Sequence, residues 1–202
     1  MENTSRRLRI SPISQEEGWV LASLSYYIAL LGGRVFIDAG AGIGYSTLWI
    51  LYGVSRASHR SGVYLYAVER NPDRYAYLQE NIEKARTLLL RGGCQVEVRA
   101  LNVDFVEFLE NTELSVDMVF IDVDKKQYAD VLELLPRRLS EIGIGVFHNA
   151  TVPGLDERAK RLLEKQDQLV YHLIPTQLGL LIVKRTTKYL VLKLTLKNYM
   201  LL

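Results

Sequence analysis

The stretch Val35-Phe36-Ile37-Asp38-Ala39-Gly40-Ala41-Gly42-Ile43-Gly44-Tyr45-Ser46 restricts the fold more than any other part of the chain. A short apolar run ends in an acid, Asp38. Three glycines follow at alternate positions, Gly40, Gly42 and Gly44, and then a helical pattern begins. This predicts a strand, a tight turn and a helix start. Glycines can take positive φ and let a ligand approach the backbone. The first N–H groups of the helix, from about Tyr45 and Ser46, would be free to meet an anionic group such as a carboxylate. A dinucleotide fingerprint requires G-x-G-x-x-G. Counted from Gly40 and Gly42, the third position of that fingerprint is Tyr45, so the dinucleotide reading fails.

From Arg34 onward, strand-like and helix-like segments alternate. Strands are predicted at 34–38, 63–69, 94–100, 116–122, 143–148, 168–174 and 178–184. The first five read as nearly continuous apolar runs, as strands buried on both faces do. Helices are predicted near 45–56, 72–90, 104–110, 125–139 and 154–166. Another runs from the Ser14 cap to about Leu31 and stops at Gly32-Gly33. Asn71-Pro72-Asp73 supplies a cap, a proline at the first helical position and a first-turn acid. The alternation implies an α/β sandwich around a mostly parallel sheet.

In such sheets ligands bind at the carboxyl ends of the strands. Asp38, Glu69, Asn102, Asp122 and the pair His148-Asn149 fall at or just after the ends of the first five predicted strands. Any one of them is explained by capping or a loop. Five polar groups delivered to one edge point to a site. Asp104 is read as the cap of the short helix that follows it.

The segment Asp117-Met118-Val119-Phe120-Ile121-Asp122-Val123-Asp124-Lys125-Lys126-Gln127-Tyr128 resembles the D-x-V-F-I-D-A-D-K-x-x-Y run of the catechol and caffeoyl-CoA type O-methyltransferases. The glycine turn is similar to the first motif of class I S-adenosylmethionine (SAM) dependent methyltransferases. Glu69-Arg70-Asn71-Pro72 resembles the second motif of the O-methyltransferases. His148-Asn149, with Pro153-Gly154 close behind, resembles the Asp-Asn that ends their fifth strand, and Ser14-Gln15-Glu16-Glu17-Gly18 their lead-in. The resemblance spans about residues 13–185. It implies a Rossmann-like, seven-stranded sheet of order 3-2-1-4-5-7-6 with the last strand antiparallel. It also implies in-line methyl transfer from SAM to a hydroxyl. The cofactor set is then Asp38, Gly40, Gly42, Gly44, Tyr45, Ser46, Glu69, Asn102 and Asp122. Within it the helix start receives the methionine carboxylate, Glu69 the ribose hydroxyls and Asn102 the adenine edge. By the same carry-over a divalent cation, usually Mg²⁺, would be bound by Asp122 and Asn149, and Lys125 would be the general base. A hydroxyl is a poor nucleophile until deprotonated. A neighbouring cation would lower both its pKa and that of a lysine.

His148 departs from this pattern, because an aspartate stands there in the family. Three readings of it are open. The trio Asp122, His148 and Asn149 would hold a softer metal than Mg²⁺, such as Mn²⁺, Fe²⁺, Co²⁺ or Zn²⁺. Alternatively, the site is metal-free and His148 is a general base. In the third reading His148 is structural. His59 and His172 have no comparable position. The 34 residues before the first strand are few for a lid over the acceptor, which implies an open site and a bulkier acceptor.

At 202 residues the chain is expected to form one domain over 1–185, with an extension at 186–202. In the extension, Leu190, Leu192, Leu194 and Leu196 alternate with Val191, Lys193, Thr195 and Lys197, a half-buried strand pattern. It would extend a sheet edge, within the chain or across a homodimer. A net charge of +2 demands no nucleic acid, and Arg6, Arg7, Arg9 and the Arg158–Arg161 segment are read as solvated. With one cysteine, Cys94, there is no internal disulfide or multi-cysteine zinc site. No leader or membrane-span pattern is recognised, so a cytoplasmic protein acting on a small-molecule acceptor is expected. The competing functions are methylation of RNA, a protein side chain or a corrinoid-type ring, and a SAM-binding module without catalysis.

Overall fold

A computed structural model describes residues 12–57, 62–89, 96–165 and 169–186. The basic arm with Arg6, Arg7 and Arg9, as well as His59, Cys94 and the alternating pattern at 190–197, lie outside the described residues.

The elements run α1 Gln15–Leu30, β1 Val35–Ala39, α2 Tyr45–Arg56, β2 Val63–Val68, α3 Pro72–Leu89, β3 Val96–Leu101, α4 Phe105–Asn111, β4 Val116–Ile121, α5 Tyr128–Arg138, β5 Leu139–Phe147, α6 Glu157–Lys165, β6 Leu169–Ile174 and β7 Leu180–Arg185. The seven strands form one sheet of order β3-β2-β1-β4-β5-β7-β6. The pairs among β1 to β5 are parallel, and β7 is antiparallel to both β5 and β6. This is the order the resemblance implies.

The continuous apolar strands follow from a sheet covered on both sides. Phe36, Met118, Phe120 and Val146 point to one face, where α1 and α2 pack. Their neighbours Ile37, Val119, Ile121 and Phe147 point to the other, under α4, α5 and α6. With a side-chain period of 2, an apolar residue is needed at every position.

Element boundaries follow local chemistry. Helix α1 starts on a capping box in which Ser14 Oγ accepts from the Glu17 N–H and the Glu17 carboxylate accepts from the Ser14 N–H. It ends where Gly33 N–H donates to Ile28 O and Gly32 N–H to Ala29 O, with Gly32 at φ +95°. Asp104 caps α4 by accepting from the Val106 N–H at 2.9 Å. Two segments depart from the sequence reading. The helix expected over 125–139 divides into a 3₁₀ turn, Lys125–Gln127, and α5. Here Asp124 caps the turn through the Lys126 N–H, which sets Lys125 at the sheet edge rather than inside a helix. Strand β5 begins at Leu139, not 143, because it is irregular: the register shifts between the pairs Val116↔Leu139 and Met118↔Ile144. The polar Ser140 and Glu141 of that irregular stretch hide it from a pattern search.

Helices α1 and α2 cross closely. A Cβ on Gly53 would lie 2.1 Å from Ala22 O, and one on Gly18 would lie 2.3 Å from Trp49 Cε2. Gly53→Ala therefore opposes two effects. Helix propensity favours alanine by about 1 kcal/mol. Overpacking against a backbone carbonyl costs about 1–3 kcal/mol or more. The carbonyl cannot swing aside, so the cost outweighs the gain and the variant is expected to lose up to about 2 kcal/mol of stability in urea unfolding. A gain would show that the crossing is looser than described.

Candidate active site

The carboxyl ends of β1, β2, β4 and β5 meet around the glycine turn. Gly40, Gly42 and Gly44 have φ of +82°, +58° and +97°, so all three need the left-handed region that glycine tolerates. The turn is also tight. A Cβ on Gly40 would sit 2.3 Å from the Asp122 carbonyl. Gly44 opens α2 without any side-chain cap, which leaves the first turn at Tyr45 and Ser46 open to an anion.

Asp38 lies fully buried beneath the turn. One carboxylate oxygen accepts from the hydroxyls of Ser46 and Thr47. The other, Oδ1, is buried with no hydrogen-bond partner among the described residues. Burial pushes its pKa up to about 7, with Asp122 and Glu69 adding to the rise and the two hydroxyls opposing it. An unpartnered buried oxygen beside a glycine cradle suits a ligand carrying a positive or donating group.

Glu69 is almost fully buried, and its two oxygens accept from Gly42 N–H at 2.9 Å and Asn71 N–H at 2.8 Å. It fastens the glycine turn to the end of β2. Each oxygen keeps a lone pair for a further donor. Capping of α3 falls instead to Asn71, whose Oδ1 accepts from Arg74 N–H. Asn102 donates its amide to Glu69 O at 2.7 Å, latching the end of β3 to that of β2. Arg70 reaches Asp104 at 3.5 Å and Asp124 at 3.7 Å, and Gln127 donates to both oxygens of Asp104. These groups wall a cleft that also includes Gly40, Val68, Glu69, Phe105 and Asp122. A second depression adjoins it over Asp122 and contains Lys125, His148, Asn149 and Leu178.

Lys125 lines the second depression. Its ammonium lies 3.2 Å from Asp122 Oδ1 and 2.6 Å from the Tyr128 hydroxyl, over whose ring it sits at 4.4 Å. Burial holds its pKa below the ordinary lysine range, despite the opposing pull of Asp122 and Asp124. Tyr128 is fully buried, with its hydroxyl against the carbonyls of Ile121 and His148. Burial and Asp122 push that phenol well above its usual range. Tyr128 was not among the predicted site residues, although its i+3 spacing from Lys125 was a usable signal.

The largest departure concerns His148. Its side chain is 3% exposed, with Nδ1 3.2 Å from Asp122 Oδ1 and Nε2 3.3 Å from Glu17 Oε2. Both ring nitrogens are buried, and neither aligns with its carboxylate as a directed hydrogen bond. Glu17 is itself fully buried and also accepts from the Thr176 hydroxyl. For both carboxylates burial acts upward. It is outweighed at Glu17 by the bonds from Ser14 and Thr176 with His148, and at Asp122 by His148 with Lys125, so both lie below their ordinary values. Sequence reasoning saw Glu17 only as a first-turn acid, and nothing local separates a capping glutamate from one that also faces a site.

This placement bears on two of the three readings of His148. A direct base must reach the acceptor, and buried ring nitrogens do not. A metal ligand must offer an accessible lone pair, and Nδ1 has none. Asp122 Oδ1 already faces an ammonium and an imidazole. Asn149, at φ +55°, donates its amide N–H to Val152 O within its own turn, a bond that does not involve its Oδ1. Among the described residues, no three His, Cys, Asp or Glu side chains are grouped to hold a metal ion. His172 lies exposed on β6. No helix among the described residues is long and apolar enough to cross a membrane.

Residues 37–150 match the family model described as a methyltransferase domain. A probable O-methyltransferase of Mycobacterium tuberculosis is 28% identical over 182 residues, which is 81% of this chain and 75% of that one. Two crystal structures share the fold. An O-methyltransferase from Bacillus cereus in complex with SAH superposes with a TM-score of 0.70 at 19% identity, covering 91% of this chain and 87% of that one. The O-methyltransferase TomG from Streptomyces achromogenes, in complex with SAM, gives 0.69 at 16%, covering 91% and 86%.

Proposed function

Because the chain belongs to the methyltransferase domain family, we propose that it is a SAM-dependent O-methyltransferase acting on a hydroxyl of a small or medium acceptor. The observation that carries this reading is the partly buried Lys125, paired with Asp122 and lining the depression that adjoins the cleft. The relatives' O-methyltransferase names and the SAM or SAH in structures of like fold support it. The acid-lined cleft, with Glu69, Asp104, Asp122 and Asp124, argues against a polyanionic acceptor such as RNA.

The residues divide the work as follows. SAM, when bound, supplies an electrophilic methyl group on a sulfonium. The glycine turn lets it approach the backbone, and the uncapped start of α2 receives its carboxylate. Asp38 anchors the start of α2 from beneath the turn through the Ser46 and Thr47 hydroxyls. Glu69 takes the ribose hydroxyls on its remaining lone pairs. Lys125, kept easier to deprotonate by burial, removes the proton from the acceptor hydroxyl. Asp122 and the Tyr128 hydroxyl hold the resulting ammonium. These residues would thereby present a deprotonated acceptor oxygen to the methyl group that SAM would supply.

Glu69→Gln tests the cofactor arm. Losing a charge-assisted pair costs about 1.5–3 kcal/mol. The dissociation constant for SAH, read by calorimetry, should therefore rise roughly 10- to 100-fold, while a displaced glycine turn would show as a lowered melting temperature. The function is tested with methyl-labelled SAM against a panel of catechols and other hydroxylated acceptors. Label should pass to oxygen. A protein that binds SAH yet labels no hydroxyl would defeat the proposal.

A further inference from the structure

The buried contact between α1 and the sheet edge has no part in the reading above. Glu17 comes from the first turn of α1 and His148 from the end of β5. They meet 131 positions apart in sequence and out of reach of solvent. On the far side of the ring lies Asp122, which in turn faces Lys125. The two ring nitrogens make no directed hydrogen bond among the described residues, and these two carboxylates lie within 3.3 Å of them. The ring is held from the side by Phe120, at 5.8 Å between centroids.

Resting on the proposed function, we propose that His148, held between Glu17 and Asp122, takes the place of a divalent cation at this edge, so that methyl transfer proceeds without a metal. Glu17 and His148 are positioning residues. They touch no reacting atom and act by holding the Asp122 carboxylate where it orients Lys125.

The geometry makes the case in three steps. A carboxylate buried beside a second one is costly unless something positive or donating lies between them. A metal site answers this with a cation, whereas here an imidazole fills the gap, with a carboxylate within 3.3 Å of each nitrogen. The same filling closes the approach a metal would need, since neither nitrogen is accessible. Lys125 completes the arrangement by placing its own charge 3.2 Å from the oxygen that faces the ring. Loss of the Glu17 charge would free the ring to turn away from Asp122.

The test has three arms. In the first, Mn²⁺ is titrated into the wild-type protein and followed by electron paramagnetic resonance. No saturable binding below about 1 mM is expected, and micromolar binding that Asp122→Asn removes would overturn the proposal. In the second, turnover with EDTA should stay within twofold of turnover without it. Loss of activity that Mg²⁺ or Mn²⁺ restores would overturn it equally. In the third, Glu17→Gln keeps a capping residue at this position. It should lower kcat roughly tenfold with KM for SAM within twofold, and an unchanged kcat would remove Glu17 from the bridge. If no acceptor is methylated, the proposed function fails, and the Mn²⁺ titration alone decides between an imidazole bridge and a metal site.

Discussion

Lys125→Ala should reduce kcat by about 10²–10⁴-fold, the range typical of a lost general base, while SAH binding stays within about twofold. The side chain lines the second depression but not the first cleft, so the cofactor half of the site survives its removal. The pH profile supplies the second readout. A base acts only when deprotonated, so the wild-type rate should climb with pH until the amine has lost its proton. Burial lowers that pKa, so the plateau is reached below the pH at which an exposed lysine titrates. Lys125→Arg should keep the charge beside Asp122 and yet lose the plateau, because a guanidinium does not give up its proton in this range. A Lys125→Ala enzyme with near-normal kcat would leave Lys125 as merely the counter-charge of Asp122.

Gly40→Ala should be the most damaging small substitution. The residue sits at φ +82°, where a Cβ costs about 1–2 kcal/mol, and that Cβ would lie 2.3 Å from the Asp122 carbonyl. Overpacking against backbone adds about 1–3 kcal/mol. The sum, about 2–5 kcal/mol, corresponds to a fall in melting temperature of roughly 5–15 °C for a chain of this size. The binding loss should exceed the stability loss, since moving Gly40 or Asp122 alters the walls of both depressions. Gly62→Ala is the control, because none of the described residues lies within 4 Å of its Cβ position and its φ is not positive. It should leave melting temperature and SAH affinity nearly unchanged. A Gly40→Ala protein with wild-type affinity would show that the turn does not carry the cofactor.

Strand positions were legible because they depend on period, length and punctuation, which are local, whereas the sheet order came from the family resemblance. Gly40, Gly42 and Gly44 announced a turn because few other residues tolerate positive φ. Asp104 was recognisable as a cap because capping reaches only two or three residues ahead. The residual errors were local conflicts. The polar Ser140 and Glu141 disguised the start of β5. The Asp124 cap broke a helix that hydrophobic pattern alone would continue from Lys125.

His148 marks the boundary between the two kinds of information. From the sequence it was a polar strand end with three possible roles, and no neighbour within ten residues could choose among them. Glu17 faces the ring, and it arrives through the close packing of α1 against α2 and the sheet, a contact set by Gly18, Gly53 and Ala22 rather than by anything near His148. The sequence by itself therefore determined the doubly covered parallel sheet, the glycine cradle and the row of polar groups at the carboxyl edge, since each follows from short-range backbone and periodicity rules. Only the tertiary structure decided which of those groups face solvent and which face one another, because burial and charge pairing depend on distances between segments that lie far apart along the chain.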